Sequence, residues 1–390
     1  MSIKESEVQY RVTTGLPPCC LRIFRDKFIL VGTYELHKPT GVRTGSLDVY
    51  DDKLKLIESL PTYGAILDLK ISPFDDRLVI TAHSTGNIMI WKIQCDGSED
   101  CAPQLSMIAN VQLFETDILI ASTHFSPLDP KIISVTSTAG ECAIVNIETG
   151  GTIEAITSQL VADSYSKIDH KLYKVQGEEV NAVEGVVEVF DEPHSLECWT
   201  AEFGQLCPFE NVLFTGGDDA TIIAHDIRTK TKIWSNNRIH GAGVVGIKCS
   251  SPNFRTDRPT SIITGSYDDH IRSLDLRMMG DMIYPGSNVP TAKLSELNLG
   301  GGVWRFSELP GSLKNSQPSG QNTLMVCCMY DGAKIVNMDD NREDTDEYFQ
   351  IQHYLKSGHE SMCYGGDWCQ DFVTTCSFYD KSLQLWNPYS

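Results

Sequence analysis

Three histidines stand where they could act as general acids or bases. His194, His240 and His359 each fall just ahead of a short apolar run, at Cys198-Trp199, Val244-Val245 and Met362-Cys363. Imidazole titrates near neutrality, so three of them at matching places are candidates for proton transfer. Ser361 follows His359 closely, which allows a Ser–His pair. A plainer reading stands beside this one. A histidine ahead of a strand can hydrogen-bond a Ser or Thr and an Asp of its own repeat, and a serine there can simply lead into the strand. Asp218, Asp268 and Asp367 read as turn residues between strands, where capping is the simpler role.

Other chemistries are excluded by pattern. No GxSxG elbow, no GxxxxGK[ST] loop, no kinase set and no HExxH occurs. Gly300-Gly301-Gly302 leads into Val303-Trp304-Arg305-Phe306, so it reads as a tight turn before a strand rather than a phosphate cradle. The thirteen cysteines are irregularly spaced, with no CxxC. They read as reduced, mostly buried thiols of the cytosol or nucleus, and neither a metal nor a cofactor is expected.

Composition narrows the class further. The 390 residues are 41% hydrophobic and 22% charged, enough apolar content for a sizeable core. Asp plus Glu number 52 against 32 Lys plus Arg, a formal charge of -20. That argues against nucleic-acid binding, which needs clustered cations, and suits a basic partner. No apolar run is long enough to cross a membrane as a helix, and residues 1–7 lack the apolar core of a signal peptide. The expected state is a cytoplasmic monomer without membrane insertion.

The elements that would position these residues form a repeat. Val244–Cys249, Ser261–Asp269 and His270–Asp275 read as three short strands split by turn residues. The same shape recurs at Val212–Asp219 and Leu78–Ser84. Aligning the turn before each third strand gives seven anchors, Gly45, Gly86, Gly140, Ala220, Asp269, Gly332 and Lys381. Their shortest spacing matches the propeller repeat of roughly 40–45 residues. The prediction is an all-β, seven-bladed WD-repeat propeller forming one domain over residues 1–390. Its last blade has three strands, and the β-rich segment 8–14 is expected to supply the fourth and close the ring. Insertions are expected near 94–104, 150–195, 310–322 and 339–347, the second holding extra β-rich segments. In such a ring the loops before the innermost strands line one mouth of the axial channel, which puts the three histidines on one rim.

One stretch is more specific. His194-Ser195-Leu196-Glu197-Cys198-Trp199 leads to Phe214-Thr215-Gly216-Gly217-Asp218-Asp219. Then come Arg238-Ile239-His240-Gly241-Ala242-Gly243-Val244, Thr264-Gly265-Ser266-Tyr267-Asp268-Asp269-His270, Gly301-Gly302-Val303-Trp304-Arg305 and Tyr364-Gly365-Gly366-Asp367-Trp368. In this order the set resembles the WD-repeat diphthine methylesterase family of diphthamide biosynthesis. The likeness is specific over residues 190–390 and generic before them. Leu274 departs from the Trp usual in the family, and Asp269 from its Glu.

The resemblance implies hydrolysis of a methyl ester on a modified histidine of translation elongation factor two, before a separate ligase amidates the acid. Ester hydrolysis needs a nucleophile or activated water, a base and an oxyanion donor. Under that implication the catalytic candidates are His240, His359, Ser361 and Glu197. A Ser–His pair competes with a water activated by His240 and Glu197. Arg305 could donate to the ester. The substrate also carries a trimethylammonium group, which aromatic faces hold. The binding candidates are therefore His194, Trp199, Tyr267, Trp304, Arg305 and Tyr364. A non-catalytic scaffold or adaptor, and a reader of methylated tails, are the competing functions.

Overall fold

The computed structural model describes residues 4–95, 102–147, 187–276, 292–310, 322–342 and 345–387. The expected insertions at 94–104, 150–195 and 310–322 lie largely outside the described residues. Among the described residues there are seven sheets, each built on four antiparallel strands, and no α-helix. The protein is a seven-bladed β-propeller.

Its innermost strands are Pro18–Phe24, Ile66–Ile71, Ile120–Phe125, Cys198–Phe203, Val244–Cys249, Val303–Glu308 and Cys363–Trp368, in blades 1 to 7. Each packs on the next, and the seventh packs back on the first.

Alternation along the strands explains why a ring forms. Successive strand residues face opposite sides, and here each side meets another blade. Val79 faces the cluster shared with blade 1, while Ile80 beside it faces the cluster shared with blade 3. Ile262 and Ile263 divide in the same way between blades 4 and 6. Every blade boundary holds its own apolar cluster, seven in all. A blade alone would leave two such faces wet, at about 25 cal/mol per Å² of apolar surface.

The seam closes as the sequence predicts. Glu7–Thr13 pairs antiparallel with Ser382–Asn387 and becomes the outer strand of blade 7. Lys4–Glu5 reaches further and adds a parallel pair to Phe349–Leu355 of blade 6. The N-terminal segment thus straddles two blades.

Six of the seven turn anchors have left-handed backbone, from φ 54 at Lys381 to φ 88 at Gly140. The seventh is corrected. Gly45 lies inside the strand Val42–Tyr50, and blade 1 turns instead through an extended hairpin whose left-handed residue is Gly41, φ 71. Asp367 is corrected too. It belongs to the innermost strand of blade 7, where it accepts hydrogen bonds from the Ile23 N–H at 2.9 Å and the Ser307 hydroxyl at 2.8 Å. The acidic segment 339–347 is partly described, and in it Asp340 pairs with the buried Arg255 at 3.1 Å.

Removing residues 1–13 should leave Ser382–Asn387 as a bare edge and open the seam. The expected outcome is a Tm lowered by about 5–10 °C, with concentration-dependent aggregation. An unchanged melting curve would show that the ring closes without this strand.

Candidate functional site at the channel mouth

One local irregularity builds the mouth. In every innermost strand the pairing to the second strand skips the second residue. Cys198 pairs Gly217 and Thr200 pairs Gly216, leaving Trp199 out of register. The same shift leaves out Trp304 in blade 6 and Tyr364 in blade 7. In the other blades it leaves out Cys19, Leu67, Ala121 and Val245. A β-bulge re-aims the side chain it carries. Seven bulges at one level therefore present seven side chains around one opening.

Aromatic residues gather on one side of that ring. The Trp304 ring lies 5.9 Å from Trp199, 5.9 Å from Tyr267 and 5.2 Å from Tyr364, centroid to centroid. Trp199 also meets Tyr267 edge-on at 6.4 Å. Tyr267 directly follows the second strand of blade 5, its N–H bonded to the Gly243 carbonyl at 2.9 Å. Two glycines let this ring fit. A Cβ at Gly243 would meet Asp218 Oδ1 at 2.7 Å and Tyr267 Cδ2 at 3.0 Å, and one at Gly302 would meet Tyr267 Cδ1 at 3.3 Å.

Charge is placed against these faces. The Arg305 guanidinium stacks 4.9 Å from the centre of the Trp304 ring. Its two terminal nitrogens reach only the Val245 and Ala121 carbonyls, at 3.5 and 3.4 Å. The Asp218 carboxylate accepts the Trp199 indole N–H at 3.1 Å. Burial, and then Asp218, push the Tyr267 phenol well above its ordinary pKa, so it stays protonated and able to donate. Glu197 lies close enough to add to that effect.

The structure thus brings together Trp199, Tyr267, Trp304, Arg305 and Tyr364. The three histidines do not join them. His194, His240 and His359 are buried, and their Nε2 atoms bond Thr215, Thr264 and Thr375 of their own blades at 2.9, 2.9 and 2.6 Å. His194 also bonds Asp219 at 3.0 Å. Trp386 donates to the same threonine as His359, at 2.7 Å. Ser361 makes no hydrogen bond to His359. Its hydroxyl accepts the Tyr379 N–H at 3.1 Å and fixes that loop.

Asp218 read from sequence as a turn residue alone, and the deeper part of the channel was not singled out. Three residues beyond the bulge, about 10 Å at strand rise, every innermost strand carries a polar side chain. They are Arg22, Lys70 and His124 on blades 1–3, Glu202 and Lys248 on blades 4–5, and Ser307 and Asp367 on blades 6–7. Aligning the innermost strands on the bulge is the signal that exposes them, and locating the bulge takes the pairing. Among the described residues no three metal-ligating side chains converge, and no helix is long and apolar enough to cross a membrane. All described cysteines are free thiols, buried except Cys19, Cys95 and Cys207.

Comparison with known proteins decides the family. Diphthine methyltransferase of Saccharomyces cerevisiae is 61% identical over 392 aligned positions, covering 99% of this chain and 99% of that protein. The chain belongs to the diphthine methyltransferase family. The Schizosaccharomyces pombe protein of the same name is 28% identical over 94% of the chain and 92% of its own length. The human protein of that name matches 45% of the chain at 30% identity, and 33% of its own length. The likeness therefore reaches well beyond residues 190–390, across blades that read from sequence as generic. No family model matches the sequence. A chain in a crystal structure of the mitotic checkpoint complex superposes with a TM-score of 0.64 over 100% of this chain and 94% of its own, at 12% identity, and supports the propeller fold alone.

The buried histidines set an acid limit on stability. Burial lowers His240 to about 3, and His83 and His359 to about 4. Their unfolded pKa is near 6.5. Below that pH the unfolded chain binds more protons than the fold does, so stability falls as pH drops from about 6.5 toward 4. A Tm measured across that window should decline steadily, and a flat profile would contradict the neutral, buried state. His240→Ala and His359→Ala should lower Tm with kcat per folded molecule unchanged; a kcat loss of about 100-fold with Tm intact would make them catalytic.

Proposed function

We propose that this protein hydrolyses the methyl ester of methylated diphthine on translation elongation factor two, yielding diphthine and methanol. The supporting observation is the convergence of four aromatic rings, one guanidinium and one anchored carboxylate at a single mouth. A quaternary ammonium and a carboxyl ester are the groups such a mouth fits. Trp199, Trp304, Tyr267 and Tyr364 offer faces to the trimethylammonium, each contact contributing about 0.5–2 kcal/mol. Asp218, held by Trp199, adds the opposite charge.

The ester then meets donors. Arg305 and the protonated Tyr267 phenol hold the carbonyl oxygen as it gains negative charge. Water is the nucleophile and Glu197 takes its proton. The water oxygen bonds to the carbonyl carbon, the bond from that carbon to the methoxy oxygen breaks, and methoxide leaves as methanol with the proton Glu197 returns. In this reading the histidines stiffen their blades, Ser361 holds a loop, and His194 binds no substrate. Water is the only co-reactant. The net charge of -20 favours approach of a basic surface, and elongation factor two in the cytoplasm is the proposed partner. The protein acts as a monomer.

Mass spectrometry of methylated elongation factor two, before and after incubation with the purified protein alone, tests the reading. The expected result is loss of one CH₂ unit with methanol released. Unchanged mass with retained binding would favour a scaffold, and gain of a methyl group from an added donor would favour methyl transfer in the forward sense. Trp304→Ala should raise KM about 10- to 30-fold. Arg305→Met should lower kcat about 100-fold with a smaller effect on KM.

A further inference from the structure

The channel below the mouth holds a second feature, which shares Arg305 with the proposed esterase site. Below the level of the bulges lies a void of about 150 Å³ lined by Arg22, Lys70, His124, Glu202, Lys248 and Arg305, among others. Lys70, His124, Glu202 and Lys248 also line a wider neighbouring void of about 250 Å³. That second void is bounded by Ile71, Pro73, Phe125, Pro127, Phe203 and Gln205, at or just past the C-terminal ends of the innermost strands in blades 2–4. The aromatic mouth uses the opposite ends of these strands. The shaft therefore opens on the other face of the ring.

Its charges are unevenly satisfied. Lys70 contacts both Asp68 oxygens at 2.7 Å. Lys248 lies between Glu202 at 2.6 Å and Glu308 at 3.0 Å. Asp367 is satisfied by a backbone N–H and a hydroxyl. Arg22 and Arg305 are different. Arg22 bonds only the Leu21 carbonyl, at 2.7 Å, and Arg305 only its two distant carbonyls; both feel the buried Asp68 carboxylate, but among the described residues neither has a carboxylate at ion-pair distance. His124 approaches Glu202 only to 3.6 Å, and its buried Nε2 has no partner. No hydrogen bond fixes its tautomer, so Nε2–H is available to donate.

A buried polar atom without a partner is costly, and unpaired guanidiniums attract anions. The wider void is edged by proline and phenylalanine, which suit an apolar tail rather than a bare ion. We propose that this shaft binds a small organic carboxylate, its head on Arg22 and His124 and its apolar tail between Pro73, Pro127 and Phe203.

Butyrate, butan-1-ol, chloride and inorganic phosphate, at matched ionic strength, are the probes, read by calorimetry and Tm on the full chain. Butyrate should bind saturably in the millimolar range and raise Tm, while butan-1-ol and chloride do not. Gln205 stands at the shaft opening, so Gln205→Glu should weaken butyrate about five- to tenfold and Gln205→Lys should strengthen it, with no change in fold. Arg22→Gln should abolish binding, and Trp304→Ala should leave it intact. Absence of saturable butyrate binding, equal response to chloride, or insensitivity to the charge at 205 overturns the proposal. Phosphate binding more tightly than butyrate overturns the apolar part of it. None of these outcomes depends on ester hydrolysis.

Discussion

The pairing of Glu7–Thr13 with Ser382–Asn387 is the constraint on which the rest depends. A propeller blade is apolar on both faces, so it is stable only between two neighbours. Six boundaries form between consecutive segments of the chain. The seventh requires the two ends of the chain to meet. Once they do, every strand face has a partner, and the channel has a fixed circumference on which side chains are placed. The cost is a long-range contact that cannot form until most of the chain is in place.

A fixed circumference gives the repeated bulge its effect. One bulge turns one side chain, whereas seven at the same level make a rim. The chain then varies only which residue each bulge carries. Blades 4, 6 and 7 carry Trp199, Trp304 and Tyr364, and Tyr267 of blade 5 enters from the following turn. The remaining blades carry Cys19, Leu67, Ala121 and Val245. The rim is therefore one-sided, aromatic across one arc and small or aliphatic across the other. Arg305, one residue past its own bulge, reaches toward the carbonyls of Ala121 and Val245 and forms the floor. An aromatic face and a guanidinium thus come from neighbouring residues on one strand.

The histidines show how the same scaffold absorbs residues that look catalytic. In blades 4, 5 and 7 a histidine just before the innermost strand reaches back to a threonine of the second strand. Blade 2 keeps the threonine but takes its imidazole from His83, in the second strand itself, at 2.7 Å. The threonine is the fixed point and the imidazole is a brace that can come from either side. Burial keeps His83, His240 and His359 neutral, which suits hydrogen bonding within a blade. His124 is the exception in position, since it lines the channel and has no threonine to satisfy it.

How much of this was legible beforehand follows from what is local. Period-two alternation, turn residues and their recurrence are local, so the sequence by itself determined an all-β ring of seven blades closed by its N-terminal strand. It also determined the left-handed turns, because only a few residues accept positive φ readily; the exception at Gly45 arose where a hairpin extension moved the turn to Gly41. The aromatic and guanidinium residues of the mouth could be named because they fall in one motif-rich stretch. Only the tertiary structure decided which of them meet. A one-residue register shift is invisible in a sequence, yet it turns Trp199, Trp304 and Tyr364 into the axis and leaves His240 and His359 inside their blades. Nor could the sequence show that Arg22, Lys70, His124, Glu202, Lys248, Ser307 and Asp367 share a ring, because residues so far apart in the chain become neighbours only when the circle is complete.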